Sequence, residues 1–396
     1  MDFSPLQISK SHLLSVLKNL DYNVLVGSFY ERLISECESS LVSVLENKLE
    51  RLKNCNSLWE LDFYRESGVK DFLKTNLCRD KFCNNCKKVK QASRMAKFIP
   101  EIKKVGSDYI LSQMVLTVPN VCGDELRDTI KLLFKAFSCL IEYLSLRKKI
   151  KGVDFDIGYI GAIRSLEVTY KGNSYHPHLH VLLAHQKKFG EKIFLNTYSY
   201  DFLNGRDARY FSDFEVLIQK LWFILIEDIR KANNIPSGFK TITYATKLGN
   251  FNLQKEIKTR RMKITKSRLD KVQLGYSCMI DKFKDDDFLE LFKYMTKGNG
   301  SEHKDENAIM SYDNFKVLYY ALNGVRQIQG YGCFYNVKDC DVDDMVEDYY
   351  KTVIDYLQKK ETPVTVSQTV QAILEDSTYT VISKSRLVSF IRNLLD

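Results

Sequence analysis

Between Ser165 and Leu183 the chain alternates, turns and alternates again, and no other stretch constrains the fold as strongly. Ser165-Leu166-Glu167-Val168-Thr169-Tyr170 has the period of a strand, and Lys171-Gly172-Asn173-Ser174 is rich in turn formers. Tyr175-His176-Pro177-His178-Leu179-His180 then alternates again and runs into Val181-Leu182-Leu183. Residues two apart in a strand face the same side of the sheet. His178 and His180 therefore present their imidazoles together, with His176 where the strand begins, and the apolar continuation reads as its buried part. Two imidazoles at the mouth of a buried strand can hold a divalent metal beside a substrate. Pairing within a polar sheet face is the competing reading, sufficient for one histidine but less so for three in alternation. Antiparallel pairing across the turn brings Glu167 close to His178 or His180, giving a two-histidine, one-carboxylate set. Such mixed ligation suits Mg²⁺ or Mn²⁺ acting on phosphates and leaves positions open for substrate oxygens. A salt-bridged surface role for Glu167 is the alternative.

A second metal signal lies upstream. Cys78, Cys83 and Cys86 form a C-x₄-C-x₂-C cluster, with Cys55 the nearest upstream candidate for a fourth ligand across a segment long enough to form a hairpin or helix and return. The tight C-x₂-C knuckle fits tetrahedral Zn²⁺, and a closed Cys₄ site is structural. It would fix the basic stretch that follows, Lys87-Lys88-Val89-Lys90 through Arg94 and Lys97, for contact with a phosphate backbone. Free buried thiols are the alternative.

With 396 residues the chain is long enough for a core and two or three modules, and its net charge of +9 favours an anionic partner. Tyrosine and phenylalanine, 23 of each, interleave with lysines as base stacking requires, although most belong in a core. Met1-Asp2-Phe3-Ser4-Pro5 has no basic start or apolar stretch, and runs such as Leu221 to Ile226 are too short to span a bilayer. A soluble intracellular protein follows as the expectation, its 10 cysteines serving as ligands or buried thiols and not as disulfides.

The chain divides into a helical segment 1–54, a zinc-binding element with a basic helix 55–105, a domain of interleaved strands and helices 106–335, and an acidic junction with a small helical C-terminal segment 336–396. Within the third region, Met114 to Val118 reads as a strand, Glu125 to Arg147 and Phe214 to Lys231 as amphipathic helices, and Ile157 to Val168 as strand. An α+β fold results, an antiparallel sheet with helices packed on it. The window with Lys255, Lys258, Arg260, Arg261, Lys263, Lys266 and Arg268 reads as a solvated hairpin or loop, with phosphate contact as the second reading. In the tail, Ser383 could cap a last helix carrying Leu387, Phe390, Ile391 and Leu394.

A metal-polarised phosphate needs a nucleophile. Asp285 to Gly298 reads as a helix, acidic at its start and stopped by glycine. At about 100° per residue, Phe288, Leu291, Phe292 and Met295 form one stripe, while Glu290, Tyr294 and Lys297 share the opposite one. Tyr294 could attack a phosphodiester, Glu290 could activate water or accept a proton, and Lys297 could stabilise developing charge. Ordinary exposed helix surface accounts for the same pattern.

Taken in order, these motifs resemble the rolling-circle plasmid replication initiators, a branch of the HUH endonucleases. Leu116-Thr117-Val118-Pro119-Asn120 is similar to the first motif, and Tyr175 to Leu182, with Glu167-Val168-Thr169-Tyr170 ahead of it, to the metal-binding second. Glu290, Tyr294 and Lys297 resemble the third, in the branch where a glutamate precedes the tyrosine by four positions. Cys55 with Cys78, Cys83 and Cys86 resembles that branch's zinc element, and Ala321 to Arg326 with Gly330-Tyr331-Gly332 its closing segment. The resemblance covers about residues 55 to 335. It implies a ferredoxin- or RRM-like sheet with the histidines on a central strand. It also implies a bacterial, cytoplasmic nickase that binds double- and single-stranded origin DNA and cleaves one strand through Tyr294. A 5′-phosphotyrosine and a 3′-hydroxyl for a host polymerase would result, with termination by water activated at Glu290 or by strand transfer. Metal-ligand duty falls on His178 and His180, with Glu167 as third ligand and His176 as bystander. A host helicase and self-association are further partners it allows, and no membrane is involved. A single-tyrosine transposase or relaxase shares the histidines and tyrosine. A non-catalytic zinc-ribbon DNA-binding regulator is the rival from another class.

Overall fold

The computed structural model describes residues 10–55, 58–64, 69–171, 174–202, 206–235, 264–272, 278–283, 311–336 and 377–383. Two compact units emerge, one of residues 1–97 and 340–396, the other of residues 98–339. In the first, helices α1 (Lys10–Glu36) and α2 (Ser39–Lys53) pack together. Val26, Tyr30 and Leu33 are buried on one and Leu45, Leu49 and Leu52 on the other, each set at the i, i+4, i+7 spacing that makes an apolar stripe. Strands β1 (Leu58–Tyr64) and β2 (Val69–Thr75) then form an antiparallel hairpin between Cys55 and the other cysteines. Helix α3 (Asn84–Asp108) starts inside the cysteine cluster.

The far side of β1 is paired by a strand from the tail, β10 (Ser377–Ser383), with Leu58 opposite Ser383 and Tyr64 opposite Ser377. The sequence reading placed only helix in this tail. Ser-Thr-Tyr-Thr-Val-Ile-Ser is dense in β-branched and aromatic residues, which fit a pleated sheet, and here that preference prevails. The helix expected after Ser383 lies outside the described residues.

The second unit is built on a five-stranded sheet, antiparallel throughout, in the order β8-β3-β5-β4-β9. Its strands are β3 (Ile110–Thr117), β4 (Tyr159–Lys171), β5 (Ser174–His185), β8 (Cys278–Lys282) and β9 (Ile328–Gly332). The histidine strand β5 is central, as expected, and the α+β architecture is the one predicted. Between β5 and β8 lie a short helix α5 (Gly190–Phe194), the hairpin β6 (Asn196–Phe202) with β7 (Arg206–Ser212), α6 (Asp213–Ala232) and α7 (Lys266–Asp270).

Alternation divides the sheet into two faces. Arg164, Leu166 and Val168 of β4 point one way, where the Arg164 guanidinium lies 3.4 Å from the ring centre of Phe134 on α4 (Leu126–Leu144). Tyr175 points the same way and donates its hydroxyl to Asn314 on α8 (Tyr312–Leu322) at 2.8 Å. Ser165, Glu167, His178 and His180 therefore occupy the opposite face.

Helix α6 covers the β8 edge and the end of β3. Glu215, Gln219 and Trp222, at i, i+4 and i+7, reach main-chain groups in turn: Glu215 accepts from Ile280 N at 3.0 Å, Gln219 donates to Cys278 O at 3.2 Å, and Trp222 donates to Thr117 O at 2.9 Å. Unpaired strand groups that would otherwise invite another chain are thus satisfied. At the other edge, the turn after β9 folds back so closely that a side chain at Gly330 would meet Phe334 O. Gly332, at φ +61°, lies against Ile160 O. No helix among the described residues is long and apolar enough to cross a membrane.

Candidate active site and metal centres

The β4–β5 register places Glu167 directly opposite His178 and Ser165 opposite His180. On the other side of β5, Thr117 faces His178 and Val115 faces His180. Both Nε2 atoms converge on one carboxylate oxygen, Glu167 Oε2, at 2.9 Å each. Glu167, His178 and His180 are 2%, 8% and 5% exposed, so the cluster is buried. Burial pushes the Glu167 carboxyl up, but hydrogen bonds from His178 and His180 reverse this and hold it below its ordinary value. His178 Nδ1 lies 3.1 Å from the His176 carbonyl, which can only accept. With Nδ1 facing this carbonyl, Nε2 is the nitrogen the fold turns toward Glu167.

These donors fit a small hard cation. Adjacent ligands on an octahedron with bonds of about 2.1 Å lie about 3.0 Å apart, close to the observed spacing. Three protein donors leave the remaining octahedral positions for water or substrate oxygen.

His176 stands apart. Its Nδ1 is 2.9 Å from Asn120 Oδ1, and Asn120 Nδ2 donates to Ser174 Oγ at 2.9 Å. Burial pushes the His176 imidazolium down to about 4, helped by the nearby His178. Asn120, the last residue of the first motif, is thus the group that pins the start of β5. A further histidine, His185, is fully buried against Ser112 Oγ at 2.7 Å and belongs to the core.

Four sulfurs gather in the first unit. Cys55 Sγ lies 3.5 Å from Cys83 Sγ and 3.6 Å from Cys86 Sγ, and Cys78 Sγ lies 3.5 Å from Cys86 Sγ. All four residues are buried. A tetrahedral Zn²⁺ with bonds of about 2.3 Å separates its sulfurs by about 3.8 Å, so this quartet fits such an ion with little adjustment.

Each sulfur also receives an N–H donor. Cys78 N points to Cys55 Sγ, Arg79 N to Cys86 Sγ and Asp80 N to Cys78 Sγ, at 3.5, 3.2 and 3.4 Å. The fourth donor is a side chain: Asn23 Nδ2 on α1 reaches Cys83 Sγ at 3.0 Å. Burial raises the Cys83 thiol, but hydrogen bonds from Cys55, Cys78 and Cys86 more than offset it and place Cys83 well below the ordinary thiol range. Asp80 secures the loop, accepting from Phe82 N at 2.8 Å and from Tyr30 on α1 at 2.7 Å.

The structure thus brings together both predicted ligand groups. Glu290, Tyr294 and Lys297 lie outside the described residues, as do Lys255, Lys258, Arg260, Arg261 and Lys263. Lys266 and Arg268 lie on α7: Lys266 is exposed, whereas Arg268 grips Asp228 of α6 through two bonds of 2.7 and 2.9 Å. Asn23, Asp80 and the role of Asn120 escaped the sequence reading. Only Asn120 carried a signal, through its place in the first motif.

Residues 69–200 match the family model described as replication protein. A protein rep from Staphylococcus aureus is 33% identical over 152 residues, covering 36% of this chain and 61% of that protein. A protein rep from Streptococcus pneumoniae serotype 2 is 29% identical over 143 residues, 35% of this chain and 42% of that protein. A third, from Bacillus amyloliquefaciens, is 30% identical over 156 residues, 37% and 42% respectively. The chain therefore spans between two fifths and two thirds of the length of these curated relatives. No solved structure matches it. The matched segment, about a third of the chain, contains the cysteine triplet, the first motif and the Glu167–His180 hairpin, and over that segment the chain is similar to the replication protein family.

Proposed function

We propose that this protein initiates rolling-circle replication of a plasmid by nicking one strand of its origin, in the branch with an upstream zinc element and a glutamate four residues before the tyrosine. The observation that carries the reading is the convergence of His178 and His180 Nε2 on Glu167 Oε2, on the central strand of the sheet. Glu167, His178 and His180 would hold a divalent cation, Mg²⁺ or Mn²⁺, which would supply polarisation of a scissile phosphate. The protein's own groups do the rest. The Tyr294 oxygen attacks phosphorus, the P–O3′ bond breaks, the 5′-phosphate stays on the tyrosine, and the departing 3′-oxygen takes a proton to become the primer hydroxyl. Lys297 offsets the charge that builds on the phosphate, and Glu290 activates the water that releases product at termination. The cysteine quartet would hold a structural Zn²⁺ and take no part in the chemistry.

The test is a covalent adduct. Full-length protein with single-stranded origin DNA and Mn²⁺ is expected to yield a protein–DNA species stable to denaturant, and Tyr294→Phe to yield none. An adduct formed equally well by Tyr294→Phe would overturn the assignment. Glu290→Ala is expected to nick normally but to lose release by hydrolysis.

A further inference from the structure

Beside the ligand cluster lies a polar group that the fold leaves unanswered. Ser165 is 1% exposed, and its Oγ has no hydrogen-bond partner among the described residues. A hydroxyl offers one donor and two acceptor sites, and burying it without a partner opposes folding. Tyr159, whose buried hydroxyl is also without a partner, lies at the far end of the same strand, opposite His185. Ser165 instead sits two residues from Glu167, on the same face, directly across from His180. Directly opposed residues on antiparallel strands have Cβ atoms about 5 Å apart.

The Ser165 side chain is far shorter than those of Glu167 and His180 and stands on their face of the sheet, across the ladder from His180. Small hard cations keep several of their waters, and a buried water needs two or more polar partners. We propose that Ser165 is a positioning residue of the cation site, its hydroxyl completing its hydrogen bonding only when a hydrated divalent cation sits on Glu167, His178 and His180. The group that is unsatisfied in the metal-free fold becomes a hydrogen-bond partner for the ion's own water.

The proposal rests on the cation reading of this site, and the experiment separates the two. Mn²⁺ is titrated into the full-length protein with its cysteines loaded with Zn²⁺, by calorimetry and by the electron paramagnetic resonance of free Mn²⁺. Thiolate sites are a poor match for Mn²⁺, so binding reports the histidine cluster. Wild type is expected to bind Mn²⁺ and His180→Ala to lose it. Ser165→Ala is expected to bind about 10- to 100-fold more weakly, the usual effect of removing a group that holds a ligand in place. Thermal unfolding of metal-free protein supplies the second readout. Ser165→Ala is expected to unfold at or above the wild-type temperature, because it removes a buried group without a partner. Unchanged Mn²⁺ affinity in Ser165→Ala overturns the proposal, and so does a drop in the metal-free unfolding temperature, which would mark the hydroxyl as an internal structural bond. Failure of wild type to bind Mn²⁺ overturns the cation reading itself, and the role of Ser165 with it.

Discussion

At the scale of single residues, the candidate site depends on which atom each neighbour holds. His178 has its Nδ1 committed to the His176 carbonyl, leaving Nε2 to face Glu167, and Asn120 draws His176 away from the pair. Three histidines of identical spacing are therefore not chemically alike, and the difference comes from what lies two residues back or on the adjoining strand. Gly332 is a residue-scale constraint of another kind. Its φ of +61° and its closeness to Ile160 O leave no room for a Cβ. Gly332→Ala is expected to lower stability by at least about 2 kcal/mol, since the left-handed conformation alone costs an L-residue roughly 1–2 kcal/mol before the backbone must shift. Chemical denaturation with an unchanged m-value would bear this out, and a loss under about 0.5 kcal/mol would mean that the β9 turn relaxes freely.

At the scale of elements, the cysteine quartet ties helices to a loop. Asn23 on α1 donates to Cys83, Tyr30 on the same helix donates to Asp80, and α3 begins between Cys83 and Cys86. Metal binding and folding should be coupled here, as in small metal-stabilised modules. Stripping the metal proposed for the quartet with a strong chelator is expected to raise amide hydrogen exchange across α1, α2 and the β1–β2 hairpin, while β3, β4 and β5 keep their protection. Unchanged exchange in α1 after metal loss would show that its packing on α2 alone is sufficient. The same elements mark where sequence reading succeeds and where it stops. The histidine hairpin was legible because a period of two, a turn and a partner carboxylate all fall within about twenty residues. The cysteine quartet was legible because thiol spacing is diagnostic. Asn23 was not, since its contact spans 60 residues and an asparagine in a helix announces nothing. The β6–β7 hairpin was passed over although Asn204-Gly205 between aromatic-rich runs is a hairpin signal, and β8 is too short to display a pattern.

For the whole molecule, the net charge of +9 is best judged by where cations remain exposed. In the second unit, Arg268 is bound by Asp228 and Lys148 by Glu142. Arg147, Lys149 and Lys151 stay exposed on the turn after α4, and Lys266 lies against Gly152 of that turn. If origin duplex rests on this corner, Lys149→Ala, Lys151→Ala and Lys266→Ala together should reduce the slope of log affinity against log salt by up to about 3, roughly 0.9 for each phosphate that is no longer neutralised. Adduct formation on a short single strand should be unaffected. An unaltered slope would place the duplex elsewhere. The pairing of β1 with β10 has a consequence of a different order. The two strands are joined in register, Leu58 to Ser383, although nearly the whole length of the chain separates them. During synthesis β1 leaves the ribosome long before its partner exists, while every strand of the five-stranded sheet has emerged before β10 is made. Non-local pairing of this kind is slow to close and leaves an open strand edge in the interim. The five-stranded sheet can therefore mature first on the nascent chain, and the three-stranded sheet waits until β10 has been made.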